Sequence, residues 1–498
     1  MSTRTSPWRT EVDLPAIPRR EPPPRSEVVV VGGGIVGLTT ALLLRRQGAE
    51  VTVLEARRLG SGTTLGTTGK VTSQHSLIYA DLARRRGEAV AEQYAQANQA
   101  ATELVASLAA EVGADGAFVR APAYVVAMDG SEHDRLHDEL EVARRLGLPA
   151  TLRDECDLPF AVNGALRFDH QGCLHAGRYL SALAAELLRL GVEVVEGTRV
   201  TAVEEHDDHV EVRTDSTAVQ AGHVVMATLL PIGELGGYFA KVRPHRAYGI
   251  AVRLASGGIE GMHINVGSPT RSTRPWTPPD GGTGIVVVGE DHPTGTADAS
   301  PSRWGALERW ARDHFDVASI DQRWSAQDFT TVDRVPFIGR APRSERVLVG
   351  TGFGKWGLSG GTAAAMICAD LLAGRPNPWL EAFDPTRLGG PAAVAELAKD
   401  NAVVGAHFVA DRVARLGAPS LEQVAPGTGA IARSGSHAVA AYRAPDGELQ
   451  TVSATCSHLG CTVHWNRAEQ SWDCPCHGSR FDVDGQVLDG PAVTPLGE

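Results

Sequence analysis

At 498 residues the chain has room for about three domains, and with 43% apolar residues it can bury more than one core. Lys and Arg total 47 against 59 Asp and Glu, a net charge of −12, so it lacks the basic footprint that phosphate backbones attract and nucleic acid is not an expected partner. Apolar runs such as residues 28–31 and 285–288 fall far short of the roughly 20 residues of a membrane span.

The first 25 residues are rich in Pro and Arg and have no apolar stretch of signal-peptide length; a disordered tail on a cytoplasmic protein is expected. A buried strand follows at 27–31, a helix at 38–46 stops before Gly48, and a second strand occupies 50–55. The turn inside this unit reads Gly32-Gly33-Gly34-Ile35-Val36-Gly37. Gly32 permits the tight turn, Gly34 lets a pyrophosphate reach the backbone, and Gly37 brings helix and strand together with the helix N-terminus facing the phosphates. Glu55 ends the second strand, where an acidic side chain meets the ribose hydroxyls of a dinucleotide.

Amphipathic helices are predicted at 82–112 and 177–190, a meander of short strands runs from 192 to 228, and 231–324 mixes strands such as 249–254 and 284–289 with Gly/Pro-rich loops. A buried strand at 347–349 leads through Gly350–Gly361 into a helix at 362–372. His133 and His137 share a helix face with Asp134 nearby and read as solvated surface. A helical connector at 392–420 leads to a final module, 421–498, of strands and glycine turns.

Three segments, Gly60-Ser61-Gly62-Thr63-Thr64, the strand end His223 to Thr228, and Gly350-Thr351-Gly352-Phe353-Gly354, together with the glycine loop, make residues 27–390 resemble flavoprotein oxidoreductases of the D-amino-acid oxidase superfamily, such as glycine and sarcosine oxidases. The resemblance implies an α/β Rossmann-like FAD-binding domain (about 26–80, 165–230 and 325–391) and an α+β substrate domain (about 81–164 and 231–324). It places Val200 beside the adenine, Thr63 and Thr64 near the phosphates and ribityl chain, and Gly352, Phe353, Gly354, Lys355 and Trp356 under the flavin ring. The run Thr63-Thr64-Leu65-Gly66-Thr67-Thr68-Gly69 lacks the histidine through which some members attach their flavin, so noncovalent FAD is expected. The strand 284–289 is aliphatic where sarcosine oxidases carry an oxygen-activating lysine, which implies slow reaction with oxygen. Lys355 and Lys70, two of only four lysines, are candidates for stabilising a reduced, anionic flavin. Arg246 and Tyr248 are candidates for holding a substrate carboxylate, His75 and Trp356 for lining the flavin face, and residues 333–339 for structural support.

Four of the seven cysteines lie near the C-terminus. Cys456-x-His458 and Cys474-x-x-His477 supply two Cys/His pairs, a donor set that suits a Rieske 2Fe–2S centre or a tetrahedral zinc. The full runs, CSHLGC and CPCHGS, resemble the Rieske proteins of cytochrome bc complexes. That resemblance implies an all-β Rieske domain with Cys456, His458, Cys474 and His477 as ligands and a disulfide between Cys461 and Cys476. Ser479 is placed to donate a hydrogen bond to the cluster, while Phe481 stands where the bc-type proteins have a tyrosine, so a lower potential is expected.

The whole chain resembles bacterial FAD-dependent oxidoreductases with a fused Rieske domain. The implied reaction is oxidation of an amine or amino acid at its C–N bond, with electrons passing singly through the cluster to an unknown external acceptor. The alternative is a flavin/Rieske electron-transfer or redox-sensing protein with no amine substrate. A reductase fed by NADH is disfavoured, because no second strand-then-glycine-loop unit follows the first.

Overall fold

A computed structural model of the chain describes residues 4–233, 235–296, 300, 302–387, 391–435 and 437–497. Strands buried on both faces read as unbroken apolar runs, and Arg25–Val31, with Val28 to Val31 all buried, is the middle of the first sheet. It pairs in parallel with Val51–Leu54 on one side and Ala218–Met226 on the other. Glu193–Val195 and Val347–Thr351 extend the two wings, also in parallel. Neighbours that diverge to opposite sides create a switch point at the carboxyl end of Arg25–Val31, where open α/β sheets bind ligands.

The helices beside this sheet start earlier than predicted. They run Ile35–Arg46 and Gly357–Leu372 and pack on one another. The glycines at their N-terminal turns act as close-packing surfaces: a Cβ on Gly361 would lie 2.9 Å from Val36 Cγ2. The single helix expected at 82–112 is two, Tyr79–Arg86 and Glu88–Glu111, separated at Gly87, whose φ of 89° is not helical. The longer one packs on Gly357–Leu372, so part of the segment expected to belong to the substrate domain lies against the cofactor half.

The second sheet has eight strands, in the order Val317–Thr331, Val242–Leu254, Gly284–Pro293, Arg271–Trp276, Met262–Asn265, Ala123–Val126, Ala165–Phe168 and Ala150–Arg153. All neighbours are antiparallel except Met262–Asn265 with Ala123–Val126. Beyond the connecting helix Pro391–Ala414, a three-stranded sheet (Thr428–Ser434, His437–Arg443, Leu449–Ser453) and a four-stranded one (His464–Asn466, Ser471–Asp473, Arg480–Phe481, Val487–Asp489) form the C-terminal module.

The described part of the N-terminal segment, residues 4–24, departs from the expected disordered tail. Trp8, on the one-turn helix Pro7–Thr10, is 1% exposed. Its Nε1 donates to the Thr67 carbonyl at 2.7 Å and the Arg274 guanidinium lies 5.0 Å from its ring. A buried indole with a satisfied donor offsets the entropy of ordering a Pro-rich segment, which composition alone does not reveal.

Candidate active site and metal centre

A cavity of about 530 Å³ opens at the switch point. One end is formed by the glycine turn. The Gly32 φ is +114°, and a Cβ on Gly37 would sit 1.9 Å from the Gly32 carbonyl oxygen, so the turn closes only without side chains there. Glu55 lines the cavity and accepts from the Gly33 and Arg57 amides at 2.7 and 2.9 Å. Burial raises its pKa despite these donors. Thr198, Val200 and Ile232 continue this wall. Thr64 Oγ1 accepts from the Ile35 amide at 3.1 Å, fixing the loop to the helix N-terminus. The cradle of backbone amides, an acidic side chain and an apolar wall fits the ADP half of FAD.

Phe353, Lys355, Trp356, Tyr248 and Asp328 line the cavity further along, whereas Gly37, Gly352 and Gly354 are not among its lining residues. The Lys355 ammonium pairs with Asp291 at 2.7 Å, and its amide donates to Asp328 Oδ2. Burial raises the Asp328 carboxyl to about 6. Lys70 is buried and lines the cavity, donating to the His263 carbonyl at 2.7 Å and Ser272 Oγ at 2.6 Å. Burial lowers its pKa to about 7. His75 does not reach the cavity: it stacks behind Trp356 at 4.5 Å and bonds to Tyr94 and Ser359.

Arg246 requires a correction. It does not line the cavity and is 2% exposed, with Nε donating to Glu469 Oε1 at 2.7 Å and Nη2 to Glu469 Oε2 and Ser325 Oγ. A buried guanidinium held side-on through Nε and Nη2 by a carboxylate of the C-terminal module, with Nη1 3.8 Å from Asp489 of the same module, is not available to a substrate carboxylate. Tyr248 lies in the cavity wall, with its hydroxyl 3.3 Å from His292 Nε2.

In the C-terminal module, two loops converge. Cys461 and Cys476 form a disulfide that ties them together, and the Cys474 sulfur lies within 4.8 Å of both its sulfurs. Disulfide sulfurs are not thiolate donors, which leaves Cys456 and Cys474 for that role. The Cys474 thiol, with the His458 and Leu459 amides and the Ser479 hydroxyl, holds Cys456 below the ordinary thiol range. The His458 and His477 rings stand perpendicular, centroids 5.2 Å apart, and His477 Nδ1 is buried with no protein partner. Two thiols beside two imidazoles, in a pocket supplying N–H and O–H donors to sulfur, fit a 2Fe–2S cluster with mixed ligation.

The cluster loops face the second sheet. Phe239 packs edge-on against both imidazoles, 5.2 Å from His458 and 5.0 Å from His477. Gln327, in the cavity wall, donates from Nε2 to the Gly478 carbonyl at 2.7 Å, and its own carbonyl accepts from Thr63 Oγ1 at 2.6 Å. A Cβ on Gly478 would lie 2.5 Å from the Pro244 Cβ. Ala468 is buried in the core that contains Tyr248 and Trp304. His464 bonds to the Gly295 carbonyl at 2.6 Å and to Asp411 of the connecting helix at 3.1 Å. Gln327, Phe239 and Glu469 carry no motif, and sequence reading missed all three.

Fold and sites together define a flavin-dependent oxidoreductase joined to a Rieske iron–sulfur module. Residues 27–371 match the family model of FAD dependent oxidoreductases (DAO), and 418–498 match that of the Rieske 2Fe-2S domain. The chain belongs to the DAO family of FAD dependent oxidoreductases and ends in a Rieske domain; its cofactors are FAD and a 2Fe–2S cluster. It is 32% identical over 491 residues to a protein of Bacillus subtilis (strain 168) described as a Rieske 2Fe-2S iron-sulfur protein, YhfW, covering 98% of this chain and 96% of that one. The cytochrome b6-f iron-sulfur subunit of Chlorobaculum tepidum is 50% identical over 50 residues, 10% of this chain and 28% of that one. Glycine oxidase from Geobacillus kaustophilus superposes with a TM-score of 0.62 at 21% identity, over 74% of this chain and 100% of that one. L-amino acid deaminase from Proteus vulgaris gives 0.61 at 14% identity, over 75% and 100%. No helix among the described residues is long and apolar enough to cross a membrane.

Proposed function

We propose that the protein is a dehydrogenase that oxidises an amine or amino acid at the carbon beside nitrogen and delivers the electrons, through its Rieske domain, to an external acceptor. When bound, FAD accepts hydride from that carbon and the cluster carries single electrons; the imine product is hydrolysed by water. Cys456 and Cys474 would supply the thiolate ligands of that cluster, and His458 and His477 its imidazole ligands. The observation that carries this reading is Gln327, which belongs to the cavity wall and bonds to the residue following the ligand His477.

The chain's residues divide the remaining work. Tyr248 and Trp356 would shape the wall beside the bound cofactor, Lys355, its ammonium paired with Asp291, would bring that ion pair to the same wall, and Lys70 is an amine that can hold or release a proton in the cavity. Phe239 gives both imidazoles an apolar neighbour from the flavoprotein part. Glycine oxidase and L-amino acid deaminase share the fold, which supports an amine-type substrate.

Anaerobic mixing with a panel of primary amines, amino acids and N-methylated amino acids tests this reading. Bleaching of the flavin absorbance by at least one member is expected. A protein carrying both chromophores that no amine bleaches supports the electron-carrier role instead.

A further inference from the structure

The cavity that takes FAD is not closed by the flavoprotein part alone. Leu488, Asp489, Gly490, Ala492 and Val493, all in the Rieske domain, belong to its lining. This segment meets the adenosine end. Val493 packs on the apolar cluster that contains Val200, Leu230 and Ile232. Arg199, the residue before Val200, donates from Nη2 to the Val487 carbonyl at 3.3 Å. Asp489 is bonded to Arg480 at 2.9 Å, and against the cost of burial the guanidiniums of Arg480, Arg246 and Arg57 hold its carboxyl below the ordinary range. Arg57 is also the residue whose amide bonds to Glu55, the candidate ribose ligand.

We propose that residues 488–493 of the Rieske domain form part of the FAD-binding site, closing the adenosine end of the cavity. The proposal rests on the reading that this cavity holds FAD and goes beyond it by making the iron–sulfur domain a structural component of the flavin site. An adenosine placed between the glycine turn, Glu55 and Val200 would bury apolar surface against Leu488 and Val493, surface that the docked domain supplies. Coupling of this kind is reciprocal: a nucleotide that prefers the docked arrangement stabilises docking, and docking tightens the nucleotide. The buried Arg246–Glu469 pair and the Gln327–Gly478 hydrogen bond hold the domain in the position this requires.

Hydrogen–deuterium exchange on the full-length, cluster-loaded protein, stripped of flavin and then mixed with FAD, ADP or riboflavin, tests it without mutation. FAD and ADP should both slow amide exchange in residues 488–493, whereas riboflavin, which has no adenosine, should slow it only around 353–357. Failure of FAD and ADP to protect 488–493, with FAD protecting the glycine turn, overturns the proposal and leaves the FAD reading standing; absence of FAD protection everywhere overturns both. As a second arm, the double variant Leu488→Ala/Val493→Ala should weaken FAD and ADP binding about tenfold, read by flavin fluorescence and calorimetry, with the cluster's visible and paramagnetic spectra reporting that the domain is folded. FAD and ADP affinities within twofold of the parent protein, with those spectra intact, count against it.

Discussion

Arg246 of the second sheet and Glu469 of the Rieske domain form a buried bidentate pair through Nε and Nη2 of the guanidinium, with the arginine 2% exposed and the two residues 223 positions apart in the chain. Glu469 also meets Arg480 at 2.8 Å, and Arg480 meets Asp473 and Asp489 at 2.9 Å each. The contact is a desolvated network between the redox modules, quite unlike a rim salt bridge.

Replacing Arg246 by Met removes one partner of a buried pair. Such a loss costs about 3–5 kcal/mol, and the remaining Arg480 places this case at the lower end. The Rieske domain's thermal midpoint, followed by cluster absorbance, should fall. An unchanged midpoint with a raised KM for an amino acid would instead restore Arg246 to the substrate site.

Gln327→Leu removes the hydrogen bond to the Gly478 carbonyl. A lost hydrogen bond of about 1 kcal/mol at a contact between the cavity wall and the cluster loop should slow electron arrival at the cluster about fivefold relative to flavin bleaching. Stopped-flow absorbance separates the two phases, and an unaltered ratio of their rates argues against Gln327 as a positioning residue.

Local spacing made some of this legible and long-range pairing hid the rest. The turn from Gly32 to Gly37 and the runs around Cys456 and Cys474 are short motifs whose chemistry depends on neighbours in sequence. Arg246 looked like a carboxylate ligand because a lone arginine on a substrate-sheet strand gives no sign of Glu469. Gln327 looked like nothing at all, since an amide acquires meaning only when another module's carbonyl reaches it. Trp8 lay in a segment whose Pro and Arg content reads as disorder, and its burial depends on Thr67 and Arg274, both remote in the chain.

Ser479 acts on Cys456 through its hydroxyl while accepting from the Ala492 amide at 3.0 Å. Hydrogen bonds to sulfur favour the reduced cluster, so Ser479→Ala should lower the midpoint potential. A hydrogen bond of about 1.4 kcal/mol corresponds to about 60 mV for one electron. A potentiometric titration showing no downward shift contradicts this assignment.

Lys70 gives a pH signature to the flavin-free protein. An unfolded lysine keeps its proton to about pH 10.4, whereas burial lets Lys70 release its own near 7. Between these values the unfolded chain binds one more proton than the folded one, so this residue makes stability rise with pH across that window, by up to about 1.4 kcal/mol per unit. Lys70→Met should be more stable at pH 7 and lack this rise. Equal pH slopes for the two proteins in urea unfolding at pH 7 and pH 9 would show that Lys70 stays charged.

The central claim is that substrate electrons enter at the flavin and leave through the Rieske cluster of the same chain. Rapid freeze-quench paramagnetic resonance after anaerobic mixing with an amine that bleaches the flavin tests it most directly. The account predicts flavin bleaching first and then, within the same molecule and at a rate independent of protein concentration, the signal of a reduced 2Fe–2S cluster. Flavin bleaching with the cluster left oxidised, or cluster reduction whose rate scales with protein concentration, would contradict it.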